Sequence, residues 1–228
     1  IVAKQLISFN TEVDTLIKSK KLKKDDAIFN VLREYVKTTK SILFDGDGYS
    51  SAWEKEAKRR GLSNLRKTPE ALSVRMNKDV IDLFDSMHVM NPVEQKARYE
   101  IQLDQYVQRI EIESLVLENL VNNQILPTAF KHQSVLIENV KGLKEIYGED
   151  FSKHAPVALS TIEKISSLTD KLASTCEALA KERTKANRMS KSDDQAQMYA
   201  KNVLPIFDKI RECVDGLELI VDDSAWPL

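Results

Sequence analysis

The stretch Ile42-Leu43-Phe44-Asp45-Gly46-Asp47-Gly48-Tyr49-Ser50 decides which of two fold classes this chain has. Three apolar residues before Asp-x-Asp-Gly are typical of a strand that presents two carboxylates at its carboxyl end. In one class of phosphatases the first Asp is the nucleophile, the second is the general acid/base, and both bind Mg²⁺. The alternative is an ordinary glycine-rich turn in a helical protein.

The phosphatase interpretation requires a doubly wound sheet, and the rest of the sequence does not supply one. A haloacid-dehalogenase-type phosphatase needs later strands that bring a Ser/Thr, a Lys and further acidic residues to the same edge. No glycine occurs between Gly61 and Gly142, and the apolar residues there follow helical rather than alternating spacing. A Mg²⁺-dependent phosphatase that uses Asp45 and Asp47 is therefore kept only as a third hypothesis.

A calcium loop is the other chemical interpretation of this stretch. Asp45, Asp47 and Glu56 fall at the first, third and twelfth positions of an EF-hand loop. The fifth and sixth positions are Tyr49 and Ser50, where the loop needs an oxygen ligand and the glycine of its sharp turn. The spacing therefore does not predict a calcium site.

The residues favour a structural turn. Asp and Gly are ordinary turn residues, and Ser50 is a suitable N-cap for a helix over residues 51–60. Gly46 and Gly48 are expected to shape the turn, with Gly48 at positive φ, where a β-branched residue is disfavoured. Ile42–Phe44 before it is the one short strand that the sequence predicts.

Composition places the chain among globular proteins. It has 228 residues, 42% of them hydrophobic, and 34 Lys plus Arg against 35 Asp plus Glu. A net charge of −1 gives no reason to expect nucleic acid, and the basic run over residues 18–24 is interpreted as a solvated helix connection. No apolar run has the length of a membrane span.

Cys176 and Cys213 lie at apolar helical positions, which predicts buried reduced thiols and a cytoplasmic protein.

Helical periodicity dominates the chain. Apolar stripes predict helices over residues 1–17 and from Asp25 onward, the latter with Ile28, Val31, Leu32, Tyr35 and Val36. Thr68-Pro69 and Asn91-Pro92 each place a cap and an N1 proline at a helix start. The helix from Asn91 is long, and Pro127 is expected to kink or end it.

The last third of the chain predicts two more long helices. Residues 156–189 carry a coiled-coil-like seam, and a final helix runs from Ser192 to Gly216. The seam comprises Ala158, Ile162, Ile165, Thr169, Leu172, Cys176 and Leu179. The predicted fold is mainly α, ending in a bundle of long antiparallel helices with at most one short strand.

The residues do not assemble a catalytic motif. His88, His132 and His154 are scattered without a second ligand at helical spacing, and no P-loop, GxSxG, GxGxxG or CxxC pair occurs in the chain. We therefore assign no catalytic, cofactor-binding or metal residue. An interaction module that binds a partner helix along the seam over residues 156–189 is the alternative hypothesis.

Several short motifs, taken in order, resemble the carboxyl-terminal part of type III glutamine synthetases. The similarity covers nearly the whole chain. The motifs are Asp45-Gly46-Asp47-Gly48-Tyr49-Ser50, Trp53, Glu56-Ala57, Arg60-Gly61-Leu62, Thr68-Pro69-Glu70-Ala71-Leu72, Ala97-Arg98-Tyr99-Glu100, Gln124-Ile125-Leu126-Pro127 and Trp226-Pro227-Leu228.

The resemblance implies a parent enzyme that amidates glutamate with ammonia, using ATP and the divalent metals Mg²⁺ or Mn²⁺. The family's metal, ATP and catalytic arginine motifs lie before the first residue of this chain, so none is transferred to it. The chain, which begins without Met, is expected to be a non-catalytic piece of a longer polypeptide. The expected partners are the rest of the catalytic domain and neighbouring subunits of a large homo-oligomer.

The resemblance also implies a division of the chain. Residues 1–120 would be the tail of the catalytic domain, with short helices and the glycine-rich turn. Residues 121–228 would be a helical-bundle extension. Its expected roles are domain closure and oligomer assembly.

Overall fold

Helices form all of the regular structure that is described. The structure is a computed structural model that describes residues 1–226, and no strand occurs within that range. The mainly α prediction is confirmed. The α-helices are α1 (Val2–Lys20), α2 (Lys24–Thr39), α3 (Ser51–Arg59), α4 (Thr68–Ser73), α5 (Lys78–Ser86), α6 (Pro92–Leu120), α7 (Leu126–Tyr147), α8 (Phe151–His154), α9 (Pro156–Ala186), α10 (Ser192–Met198) and α11 (Leu204–Glu218).

The predicted strand at Ile42–Phe44 is wrong. A 3₁₀ turn occupies Lys40–Ile42, and Leu43 follows with extended dihedrals, φ −68° and ψ 139°. An extended segment becomes a strand only when a neighbour pairs with its backbone. Here the Arg60 guanidinium donates to the Ser41 and Leu43 carbonyls, both at 3.1 Å, in place of a second strand.

Side-chain caps start α3 and α6 as the sequence predicted, whereas Thr68 lies inside α4 rather than before it. The Ser50 hydroxyl accepts from the Trp53 N–H at 3.3 Å at the start of α3. Asn91 and Glu94 form a capping box before α6: Asn91 Oδ1 accepts from Glu94 N at 2.9 Å, and Asn91 N donates to Glu94 Oε2 at 2.8 Å. Gly61, after α3, has a φ of 72°.

Two π turns let long helices pass through proline. Pro127 does not end the helix: a π turn at Val121–Ile125 joins α6 to α7, and Leu126 N–H bonds to Val121 O. A proline ring would meet the carbonyl four residues earlier in a regular α-helix, and a wider turn relieves that collision. A second π turn, at Tyr199–Val203, precedes Pro205 in the same way and joins α10 to α11.

Backbone contacts divide the chain into two compact units. The first unit comprises Ile1–Arg66 and Val74–Gln95, and the second comprises Lys67–Ser73 and Lys96–Leu228. The resemblance implies another division, at residue 120, between the tail of the catalytic domain and the helical extension. That division stays a prediction.

The second unit is built around α9, which packs against α7 and α11. Short connections at residues 148–155 and 187–191 reverse the chain on either side of α9, so its neighbours run antiparallel to it. The predicted seam is buried from the middle of α9 to its carboxyl end. Its fully or nearly fully buried members are Ile165, Thr169, Leu172, Cys176 and Leu179.

Glycine inside α11 makes room for a neighbouring side chain. The final helix continues past Gly216, where the sequence predicted its end, to Glu218. A Cβ at Gly216 would lie 3.3 Å from Leu168 Cδ1 of α9. The glycine therefore lets α9 and α11 pack closely rather than ending the helix.

Both cysteines are buried and free, as predicted. Cys176 and Cys213 are 4% and 0% exposed. Burial, with a smaller contribution from Glu118, raises the pKa of the Cys176 thiol to about 11. The thiol is therefore protonated at neutral pH and packs as a small apolar side chain.

Polar side chains link the helices of the second unit. Arg183 Nη2 donates to Glu118 Oε2 at 2.7 Å, and Arg183 Nη1 donates to the Ser114 hydroxyl at 3.2 Å. The Tyr199 hydroxyl donates to Asn187 Oδ1 at 2.7 Å. These bonds fix α6, α9 and the second π turn in one register, since a buried polar group without its partner is costly.

Candidate functional site

The glycine-rich turn is held by its own backbone and side chains. Asp47 Oδ1 accepts from the Tyr49 N–H at 2.9 Å, and the Ser50 hydroxyl donates to the Asp47 carbonyl at 2.7 Å. Asp47 is therefore the hydrogen-bonding residue of a turn, the structural role that the sequence favoured.

Arg60 links this turn to α3 through hydrogen bonds. Besides the Ser41 and Leu43 carbonyls, Arg60 donates to Glu56, as does Arg59 in the previous position. The hydrogen bonds from Arg59 and then Arg60 lower the pKa of Glu56 to about 2. Glu56 is thus a charged anchor for two arginines and not a calcium ligand.

The two turn glycines differ in the space available for a Cβ atom. A Cβ on Gly46 would lie 2.5 Å from Cζ of Phe44, whose ring also packs on Trp53 with centroids 4.7 Å apart. A Cβ on Gly48 would meet nothing within 4 Å. The expected positive φ at Gly48 is wrong, because Gly61 and Gly148 are the positive-φ glycines of the described chain.

Asp45 and Asp47 do not belong to a cluster of metal-ligating side chains in the described part of the chain. Within residues 1–226 no group of three or more His, Cys, Asp and Glu could hold a metal ion. Asp45 and Asp47 follow a chain segment that is not part of a sheet, so the strand edge that the phosphatase hypothesis needs is missing from the described part. His88 and His154 are exposed and His132 is half-buried.

Tyr49 at the apex of the turn is 99% exposed. In the sequence, Tyr49 bears only on the calcium loop, and its exposure was not predicted. A large aromatic residue between glycine and serine in a turn was the available signal, because a turn offers no apolar neighbours to cover it.

The helices α1 and α2 form a hairpin with a thin core. Val13, Ala27 and Val31 are its buried residues, and half-buried apolar side chains surround them. The rings of Phe9 and Tyr35 meet edge to face with centroids 5.9 Å apart. Two helices can cover only one side of each other, so the hairpin leaves apolar surface outside.

One such surface is the outer stripe of α2, formed by Phe29, Leu32 and Val36. Their exposed fractions are 65%, 48% and 68%. The sequence placed Leu32 and Val36 on the same apolar face as Val31. They lie instead on a second face, and their spacing of three and four residues is that of a helix-packing seam.

The other surface is a groove along the hairpin, with a volume of about 760 Å³. Leu16, Leu22 and Val31 supply its apolar lining, and Lys20 and Arg33 are the basic residues at its edge. None of the three outer-stripe residues lines this hairpin groove. A volume of this size suits a bound side chain or short segment.

Comparison with known protein families assigns the chain. The sequence model of the family described as "Glutamine synthetase C-terminal domain" matches residues 27–144. The chain belongs to the glutamine synthetase C-terminal domain family. This match begins inside α2 and contains the glycine-rich turn, α6 and most of α7.

Curated relatives extend the similarity over the whole of this chain. A glutamine synthetase of Bacteroides fragilis is 34% identical over 228 residues, which is all of this chain and 31% of the relative. A type-3 glutamine synthetase of Dictyostelium discoideum is 31% identical over 233 aligned positions, with the same coverage. A glutamine synthetase of Butyrivibrio fibrisolvens is 27% identical over 87% of this chain and 28% of its own length.

These matches confirm the resemblance found in the sequence motifs. The chain spans about a third of the length of the curated relatives it matches. Of the terminal motif Trp226-Pro227-Leu228, the last two residues lie outside the described part of the chain. In the described part, no helix is long and apolar enough to cross a membrane.

Proposed function

We propose that this chain is a non-catalytic helical region of a longer, cytoplasmic glutamine synthetase, and that it serves domain closure and oligomer assembly. The parent reaction, implied by the family, is ATP-dependent amidation of glutamate with ammonia. ATP and Mg²⁺ or Mn²⁺ would bind in the rest of that polypeptide. Neighbouring subunits of a homo-oligomer are the further partners.

The observation that carries this proposal is the outer stripe of α2. Phe29, Leu32 and Val36 form a row at packing spacing, yet each is about half exposed or more. A stable chain gains free energy when such a row is covered, at about 25 cal/mol per Å² of apolar surface. Apolar patches of this kind are typical of interaction surfaces.

The comparisons support the rest of the polypeptide as the covering partner. The family match begins at Ala27, one turn into α2, so α1 precedes it while both fully aligned relatives cover α1. The hairpin therefore bridges the C-terminal-domain region and the sequence before it. A hairpin in that position can close the outer side of the preceding domain.

A charge on the outer stripe tests the proposal. We expect Phe29→Glu to leave the melting temperature of this chain nearly unchanged, because the side chain is already 65% exposed. In the longer polypeptide the same change should bury a charge, lower the melting temperature by several degrees and reduce glutamine formation. Calorimetry, sedimentation and a glutamine assay measure the three effects.

Leu219→Glu is the matched control, since Leu219 is 86% exposed and lies in the other unit. This change should alter the melting temperature of neither the 228-residue chain nor the longer polypeptide. Equal stability, mass and activity of the Phe29→Glu and unmodified longer polypeptides would contradict the role in domain closure.

A further inference from the structure

The glycine-rich turn and the hairpin groove have complementary chemistry. We propose that Tyr49 of one copy of this chain docks in the hairpin groove of a second copy. The contact is independent of the outer stripe of α2, which lines no part of the groove.

The turn presents Tyr49 in a fixed position. Its backbone is held by Asp47, by the Ser50 cap and by Arg60, which donates to two carbonyls before the turn. The tyrosine at the apex is nevertheless 99% exposed. A rigidly presented aromatic side chain loses little conformational entropy on binding, which is the property of an interface anchor.

The turn is also acidic. Asp45 precedes Tyr49 by four residues and Asp47 by two. In the described part of the chain, Asp45 has no hydrogen-bond or ion-pair partner, whereas Asp47 accepts only from its own turn. The partner surface should therefore combine apolar area for the ring with basic side chains for the carboxylates.

The hairpin groove has both properties. Leu16, Leu22 and Val31 line it, and its volume of about 760 Å³ exceeds what one tyrosine ring needs. Lys20 and Arg33 stand at its edge. A lysine or arginine beside a docked tyrosine could contact both the ring face and a carboxylate of the turn.

The acidic residues of the groove already have partners of their own. Glu12 accepts from the Tyr35 hydroxyl at 2.7 Å, and Glu34 pairs with Lys37 at 2.9 Å. The Lys37 hydrogen bond lowers the pKa of Glu34, so that carboxylate is satisfied within its own helix. Lys20 has no ion pair within residues 1–226, which leaves its charge for an incoming carboxylate.

Two different surfaces meet in this contact, so it is heterologous. Each copy offers one turn and one groove, and successive copies join head to tail into a closed ring or an open chain. The contact differs in this from a two-fold dimer, in which one patch pairs with itself.

Sedimentation of the 228-residue chain over a range of concentrations provides the test. We expect association that Tyr49→Ala weakens by about tenfold or more, as for an interface anchor, while Tyr49→Phe largely keeps it. Neither change should alter the circular dichroism, because the side chain is exposed. Asp45→Lys and Lys20→Glu should each weaken association, and the double variant should regain part of it.

Mixing two defective variants identifies the heterologous geometry. Tyr49→Ala keeps its groove, and Lys20→Glu/Arg33→Glu keeps its turn. Each alone should be monomeric, whereas the mixture should form a one-to-one pair and nothing larger.

Three results would overturn the proposal: a monomeric unmodified chain at all concentrations, unchanged association of Tyr49→Ala, or a mixture without the one-to-one pair. The last two would assign any association to another surface. Phe29→Glu should associate like the unmodified chain, so failure here is separable from failure of the domain-closure role.

Discussion

The α1–α2 hairpin and the α7–α9–α11 bundle are built from similar amphipathic helices but differ in how much of each helix is covered. In the hairpin, three residues are buried, and α2 carries a second apolar row in solvent. In the bundle, α9 has neighbours on two sides, and Ile165, Leu172 and Leu179 are each 0% exposed. Helix stability therefore depends on the number of packing partners more than on helix propensity.

The largest expected difference concerns core truncation. Leu172→Ala in the bundle should cost about 3 to 4 kcal/mol, since a fully enclosed site cannot collapse around the lost atoms. Val31→Ala in the hairpin removes two methyl groups beside an open groove and should cost about 1 to 2 kcal/mol. Chemical denaturation measures both, with Trp53 reporting the first unit and Trp226 the second. Equal costs would show that the hairpin core is as enclosed as the bundle.

The next effect concerns the polar link in the second unit. Side chains of Arg183 and Glu118 are 13% and 29% exposed. Arg183→Ala should cost about 2 kcal/mol, because it leaves the half-buried Glu118 carboxylate without its partner. Arg183→Met with Glu118→Leu should recover most of that loss, and a double variant as unstable as the single one would refute this account. In the hairpin, Lys37→Ala removes only an exposed ion pair within α2 and should leave the melting curve nearly unchanged.

A smaller effect separates the two turn glycines of the first unit. Gly46→Ala should lower stability by about 1 kcal/mol, since the Phe44 ring must move away from the new methyl group. Gly48→Ala is the control and should change stability by less than about 0.5 kcal/mol, because its Cβ meets nothing within 4 Å. Thermal melting measures both, and the opposite order would mean that the ring does not rest on Gly46.

The smallest effects come from pH. Burial raises the pKa of Tyr199 to about 12, and burial with the Asp193 hydrogen bond raises that of Tyr99 to about 12. A raised folded-state pKa gives stability that is complete below about pH 10 and lost as the pH rises through about 12. The second unit should therefore lose stability in strong alkali.

Acid should loosen the first unit. The lowered pKa of Glu56, about 2, gives stability that is present above its ordinary value of 4.5 and lost as the pH falls through about 2. Melting curves of the Trp53→Phe and Trp226→Phe variants at both extremes compare the units. Unchanged melting of the second unit near pH 12, or of the first unit near pH 2, would contradict this assignment.

Much of the local structure could be predicted because it depends on neighbours in the chain. Ser50, Asn91 and Gly61 act on backbone groups within a few residues, so their chemistry is readable without a fold. The seam of α9 was readable because five successive apolar or small residues recur at helical spacing. The motif order likewise indicated the family.

Other features depend on partners that sequence spacing does not reveal. Pro127 allowed two predicted outcomes, a kink or an end, and the structure uses a π turn within a continuing helix. Ile42–Phe44 has the composition of a strand, but Arg60 takes the carbonyls that a strand would need. The exposure of Tyr49 was signalled only by its place in a turn, because exposure is a property of what surrounds a residue.

Local sequence patterns were enough to predict the long helices, the caps at Ser50 and Asn91, the buried seam, the reduced cysteines and the family. The tertiary structure alone decided that Leu32 and Val36 face outward, that Gly46 rather than Gly48 is the restrictive glycine, and that a groove opens beside Lys20. The physical reason is that periodicity fixes the direction of a side chain around its helix axis. Whether another element covers that direction depends on long-range packing.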